Sequence, residues 1–134
     1  KYVIINRIAP LSLEFNRAWH IKSILNFELI RKAAKLLEGN KDFSTFRSSS
    51  CNSKSPIKTL DKVIVKKSGT KIFITFKSKS FLQQQVRSMV GCLKFVGEEK
   101  WSLKKFKNII KSKTRSNCAP PAPARGLYLL KVYY

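Results

Sequence analysis

The sequence predicts an α+β domain, an antiparallel or mixed sheet with helices packed on one face. Three observations predict it. Short apolar runs of period two stand beside segments whose apolar residues recur at three and four. Their order reads strand, helix, hairpin, helix, helix, strand. A length of 134 residues with 43% hydrophobic content suffices for one domain, residues 1–134, with its own core.

Tyr2, Val3, Ile4 and Ile5 read as the first strand; Pro10 breaks the pattern, and Ala18 to Ile21 gives a short extended piece. Asn26 is an N-cap for a helix whose Phe27, Ile30, Ala33, Ala34 and Leu37 share one face, and Gly39 ends it. Residues 42–56 are polar and Ser-rich, a loop anchored by Phe43 and Phe46. In the hairpin, Val63 and Val65 alternate with Ile64 and Lys66, Ser68-Gly69 turns, and residues 72–76 return. Ser80 caps a longer helix over residues 81–96, with Leu82, Val86, Met89, Val90 and Leu93 as its apolar stripe, and Gly97 stops it. Ser102 caps a third helix, with Trp101 and Phe106 placed as a hydrophobic staple. Residues 117–124, with three Pro in four positions, form a rigid non-helical loop before a last strand over 126–134.

Lys and Arg total 28 against 7 acids, a formal charge of +21. A disordered basic tail is excluded by 9 Phe, 4 Tyr and 2 Trp. A membrane span is excluded because the longest run without a charged residue is nine, residues 116–124. Charge of this size repels itself, so a polyanion such as nucleic acid is the leading partner. A Lys-rich composition bias accounts for part of it, and an anionic membrane surface is a third reading that would favour one long basic amphipathic helix. Cys51, Cys92 and Cys118 are odd in number and far apart, which argues against a disulfide framework or zinc site and for a reduced, cytoplasmic compartment.

Gln83, Gln84, Arg87 and Gly91 fall on one side of the long helix, off its apolar stripe. Glycine inside a helix costs roughly 1 kcal/mol against alanine, so something approaches closely there. Beside that opening Arg87 holds a carboxylate or phosphate; the plainer reading is a solvated Arg and a Gly that lets another element pack. The loop around Phe43, Phe46 and Arg47, with Lys54 and Lys58, either grips RNA and stacks bases or plugs the core with its two rings. His20, the single His, lies beside Trp19 and reads as structural. With seven acids and no Gly-rich phosphate loop, no complete active site can be assembled within the chain.

At these residues a family becomes recognisable. The run 81–91, FLQQQVRSMVG, resembles the helix pattern of the tRNA pseudouridine synthase A family. Residues 42–47, DFSTFR, followed by Cys51 and Lys54-Ser55-Pro56, resemble its D-F-x-x-F-R loop; residues 117–129 resemble its Pro-rich segment and closing G-L-Y-L strand; residues 33–39 resemble the helix before the loop. The resemblance implies an isomerase that turns uridine into pseudouridine in the anticodon arm of tRNA, as a homodimer, with no metal or organic cofactor and no membrane. The base must leave the stack before its glycosidic bond can react. It also implies that the catalytic Asp, in an R-T-D-like motif, and the Tyr that stacks on the target base lie upstream. Lys1 follows no Met and opens directly on a strand, so the chain is expected to be the C-terminal half of such an enzyme. Arg87 then pairs with the Asp of the other half, while Arg47, Lys54, Lys58, Gln84 and Leu127 face the RNA or the wall of the active site. The sequence departs from the family's usual residues at Gln85, often Met, and at Glu99, where Gly is common.

Overall fold

The computed structural model describes residues 1–6, 17–47, 55–82 and 84–128. The expectations placed on Pro10, Cys51, Lys54, Gln83 and positions 129–134 lie outside the described residues.

Five strands form a mixed sheet: β1 (Tyr2–Asn6), β2 (Trp19–Ile21), β3 (Gly39–Asp42), β4 (Ile57–Ser68) and β5 (Lys71–Ser78). Their spatial order is β2-β1-β5-β4-β3, with β1 and β2 parallel and every other pair antiparallel. Three helices, α1 (Phe27–Leu36), α2 (Gln85–Gly97) and α3 (Leu103–Ser112), pack on one face. Tyr2, Ile4, Val63, Val65, Ile72 and Ile74 project from the sheet into the same buried cluster as Ile30 and Ala34 of α1, Met89 and Leu93 of α2, and Phe106 of α3. The α+β expectation holds.

Local chemistry sets the helix starts. Asn26 Oδ1 accepts the Leu29 N–H at 3.2 Å, and Ser102 Oγ accepts the Lys105 N–H at 3.1 Å, so both predicted caps are present. Trp101 and Phe106 are both buried in the core cluster.

The long helix is shorter than its pattern. It begins at Gln85, not at residue 81, and Ser80 does not cap it. The Ser78 hydroxyl donates to the Ser80 carbonyl at 2.8 Å, and Gln85 Oε1 takes the Leu82 N–H at 2.8 Å. These side chains hold the segment in a non-helical course. Nor does Gly97 supply the stop. The left-handed residue after the helix is Glu99, at φ +63°. Its N–H reaches the Val96 carbonyl at 3.0 Å, and the Lys100 N–H reaches the Phe95 carbonyl at 3.0 Å, the paired bonds of a Schellman ending.

Two further differences concern the sheet. Gly39, expected to end the first helix, stands two residues beyond that helix's cap at Leu37 and instead opens β3, which has no strand signature of its own. A register shift between Leu60 and Lys62 makes Asp61 an extra residue, which lets Leu60 and Val63, three apart, face the same core. At the other end, Ala124–Gly126 forms a 3-10 turn where the sequence predicts the start of the last strand, and Leu127 makes an isolated antiparallel bridge to Tyr2.

Candidate functional site

Between Val63 and Val65, which point into the core, Ile64 points to the opposite face of the sheet and stays 41% exposed. That face, bounded by the start of α2 and by residues 127–128, forms an open cleft of about 960 Å³. Ile64, Phe81, Val86 and Leu127 give it an apolar floor, and Phe76 and Leu82 of the buried cluster line its inner end. Lys1, Lys62, Lys77 and Arg87 supply cations around it, and among the described residues no acidic one lines it. Lys62 and Lys77 are direct cross-strand partners on β4 and β5. Like charges placed opposite each other oppose pairing, so this arrangement suits a polyanion that separates them.

Arg87 stands at the wall of this cleft in a built setting. Its Nε donates to the Ala122 carbonyl at 2.7 Å, and the Ala122 N–H donates to the Arg87 carbonyl at 2.9 Å. The Pro-rich segment 118–123 therefore lies across α2 as a strap. Gly91, one turn on, explains how. A Cβ there would stand 2.1 Å from the Pro120 carbonyl oxygen, so only glycine leaves room for the strap. The close approach expected at Gly91 is real, and the approaching group is the protein's own backbone. The strap covers the side of α2 that carries Arg87 and Gly91, and Ser88, Gly91 and Cys92 are as buried as Met89 and Val90.

The far end of the strap is tied to β1. The buried Tyr2 hydroxyl donates to the Pro123 carbonyl, and burial pushes its phenol well above the usual pKa against the opposing pull of Arg125 and Arg87. Tyr2 thereby connects the first strand, the strap and the bridge to Leu127.

The predicted site residues divide. Gln84, Arg87 and Leu127 come together in the cleft. Gln84 takes a left-handed conformation at φ +62° immediately before α2. Gln85, which stands where the family often has Met, is fully buried; its Nε2 has no hydrogen-bond partner. Arg47 and Lys58 lie elsewhere. Lys58 sits opposite Lys41 at the β3 edge, in phase with the buried Leu60 and so on the helix side. Arg47 follows the turn Ser44–Phe46, where Phe43 and Phe46 are both fully buried with ring centroids 6.3 Å apart. The two rings plug the core and are not free to stack on bases. Asp42 fastens that turn by accepting from Ser44 N–H at 2.9 Å and Ser44 Oγ at 2.6 Å. Burial raises its pKa, but the Ser44 bonds and the nearby Lys113 and Arg47 outweigh it and hold the carboxyl below its usual range. His20 lies on β2, beside Ile5 of β1.

Sequence reasoning missed Lys62 and Lys77. On the sequence nothing sets them apart from the many other Lys; the register shows them side by side on the cleft.

A mixed sheet with helices packed on one face and a cleft lined by cations and apolar side chains defines an α+β domain with a surface suited to a polyanion. Comparison with known proteins narrows this. The family model described as tRNA pseudouridine synthase matches residues 33–134, and the chain belongs to that family. It is similar to tRNA pseudouridine synthase A of Pelagibacter ubique, 61% identical over 134 residues, covering 100% of this chain and 54% of that protein. The proteins of the same description from Parvibaculum lavamentivorans and Caulobacter vibrioides are 45% and 46% identical over 133 residues, covering 99% of this chain and 54% of each of theirs. The chain thus spans about half the length of the curated relatives it matches.

Proposed function

We propose that this chain is the C-terminal domain of an enzyme that isomerises uridine to pseudouridine in the anticodon arm of tRNA, acting in the cytoplasm as a homodimer. In this reading the catalytic Asp and the Tyr that stacks on the base come from the N-terminal half, and these 134 residues alone are inactive. The observation that carries the reading is Arg87, buttressed through Nε at the wall of a basic cleft, with none of the described carboxylates paired to it. An arginine fixed in this way presents its remaining donors to a carboxylate brought by another domain. It keeps that group ionised and aimed at the sugar of a flipped nucleotide. The apolar floor around Leu127 and Val86 accepts the base, and Lys62 and Lys77 neutralise phosphates on either side. The reaction breaks the bond from C1′ to ring nitrogen and rejoins C1′ to ring carbon, so the protein's task is to hold the detached base in register.

Arg87→Ala in the complete gene product tests this. Removing one partner of a desolvated charge pair costs several kcal/mol, so turnover, followed by tritium release from uridine-labelled tRNA, falls roughly 100-fold or more, while tRNA binding falls far less. Near-normal turnover refutes the role. Tight, salt-sensitive tRNA binding by a complete gene product that never releases tritium supports a non-catalytic RNA-binding module instead.

A further inference from the structure

The strap over α2 brings two cysteines together that the sequence keeps 26 residues apart. Cys92 Sγ on α2 and Cys118 Sγ at the head of the strap are 3.5 Å apart, both free thiols. The spacing that argued against a disulfide hid this convergence. The site around them is asymmetric. Cys92 is fully buried, whereas Cys118 is partly exposed. Arg115 places Nη1 2.8 Å from Ser88 Oγ, one turn before Cys92, and its charge acts on both sulfurs. The hydrogen bond from Cys92, together with Arg115 and the Ser88 contact and against the opposing effect of burial, favours the thiolate at Cys118, while the same bond and burial keep the proton on Cys92. One sulfur is thus set up to attack and the other to resolve. A thiolate beside a guanidinium does not suit a metal cation, and among the described residues no cluster of metal-ligating side chains is present.

We propose that Cys92 and Cys118 form a reversible thiol–disulfide pair which, when oxidised by a small-molecule disulfide, staples the strap to α2 beside Arg87. The Cys118 thiolate attacks one sulfur of the oxidant, RSSR, forming a mixed disulfide and releasing one RS⁻, which takes up a proton. Cys92, giving up its proton to solvent, then attacks the Cys118 sulfur, forming the Cys92–Cys118 bond and releasing the second RSH. Two protein thiols are oxidised by two electrons and one RSSR is reduced to two RSH. The sulfurs must close from 3.5 Å to about 2.05 Å. The strap approaches α2 at Gly91 and Ala122 already, so the bond captures an existing contact.

The experiment uses the complete gene product in excess oxidised glutathione, quenched with acid and alkylating agent and digested with trypsin. Cys92 is carried by the peptide of residues 88–94, Cys118 by residues 116–125 and Cys51 by residues 48–54. The expected result is 88–94 joined to 116–125, released by dithiothreitol. The oxidised protein should melt higher by roughly 5–10 °C, because the bond closes a long loop. In Cys92→Ser, glutathione should accumulate on Cys118 and the rise in Tm should vanish. Glutathione retained on Cys118 of the wild-type protein, Cys51 in the joined peptide, or both thiols alkylated overturns the proposal. An oxidised form that melts lower overturns the claim that the bond captures an existing contact. None of these readouts depends on catalytic activity.

Discussion

Replacing Gly91 by Ala sets two effects of opposite sign against each other. In the middle of a helix the change gains about 1 kcal/mol from backbone propensity. Against this, the new Cβ would stand 2.1 Å from the Pro120 carbonyl oxygen and 3.2 Å from its carbon. A comfortable carbon–oxygen contact is about 3.3 Å, so the strap must retreat by more than about 1 Å. The atoms in the way are backbone, held by Ala122 at 2.7 and 2.9 Å from Arg87, and cannot rotate aside. A retreat breaks those two bonds, each worth about 1 kcal/mol; standing firm leaves an overpacked contact costing about 1–3 kcal/mol. A retreat nets a loss of about 1 kcal/mol. A contact as close as 2.1 Å against backbone sits toward the upper end of the overpacking range, so Gly91→Ala destabilises the domain by about 1–2 kcal/mol net, a fall of roughly 3–10 °C in Tm. Urea unfolding followed by the fluorescence of Trp19 and Trp101 measures it. Gly97→Ala is the comparison: its Cβ would meet side-chain atoms only, Ile30 Cδ1 at 2.7 Å and Cγ1 at 2.8 Å, so relief there calls for repacking one buried isoleucine and leaves the strap's bonds to Arg87 intact. A Gly91→Ala protein as stable as wild type, or more so, refutes the strap as a tight backbone contact.

Three other predictions follow from the same geometry. Lys62→Ala and Lys77→Ala should each weaken tRNA binding by the complete gene product and flatten the slope of log affinity against log salt by about 1; unchanged slopes would remove the cleft from the RNA path. Glu99→Gly should stabilise the domain by about 0.5–1 kcal/mol in urea, because glycine takes the left-handed ending of α2 without a Cβ penalty and the Asn26-to-Glu99 bond it removes is exposed; a loss of stability would show that this bond outweighs the backbone. Asp42, held below its usual pKa in the fold, contributes stability that is present above the unfolded carboxylate pKa near 4 and is lost as pH falls through its lower folded value; Asp42→Asn should therefore lose stability at pH 7 and show a shallower fall below pH 4, measured by thermal melts across that range.

What the sequence made legible follows the range of the interactions. The caps at Asn26 and Ser102 are bonds over three residues, so residue type and spacing reveal them. The hairpin is equally local. Gly91 was readable as a close approach because its cost inside a helix demands a reason, though not which element approaches. The start of α2 was misread because side chains outside the periodic pattern, Ser78 and Gln85, take up the backbone groups of the preceding segment. β3 has no strand propensity and exists because β4 offers it an edge. Lys62 beside Lys77 depends on a register that the extra residue at Asp61 shifts. Cys92 beside Cys118 depends on the whole strap.

The strap also explains why position 87 calls for arginine rather than any cation. The strap shields part of the Arg87 side chain from water, which costs free energy unless the shielded donors find partners. Here the guanidinium spends one nitrogen on the Ala122 carbonyl, and that bond is reciprocated through the backbone of the same residue. The group is thereby oriented without using the fork of its two terminal nitrogens, which is the part that matches a carboxylate or phosphate. Lysine has three donors on one nitrogen but no planar fork, so it cannot bond the strap and still present two parallel donors to the ligand. Arg87→Lys should therefore keep the positive charge of the cleft and most tRNA binding, yet lose the aim. Turnover by the complete enzyme should fall close to the level of Arg87→Ala. Turnover restored by lysine would mean that the cleft needs only charge at this position, and that the strap serves stability alone.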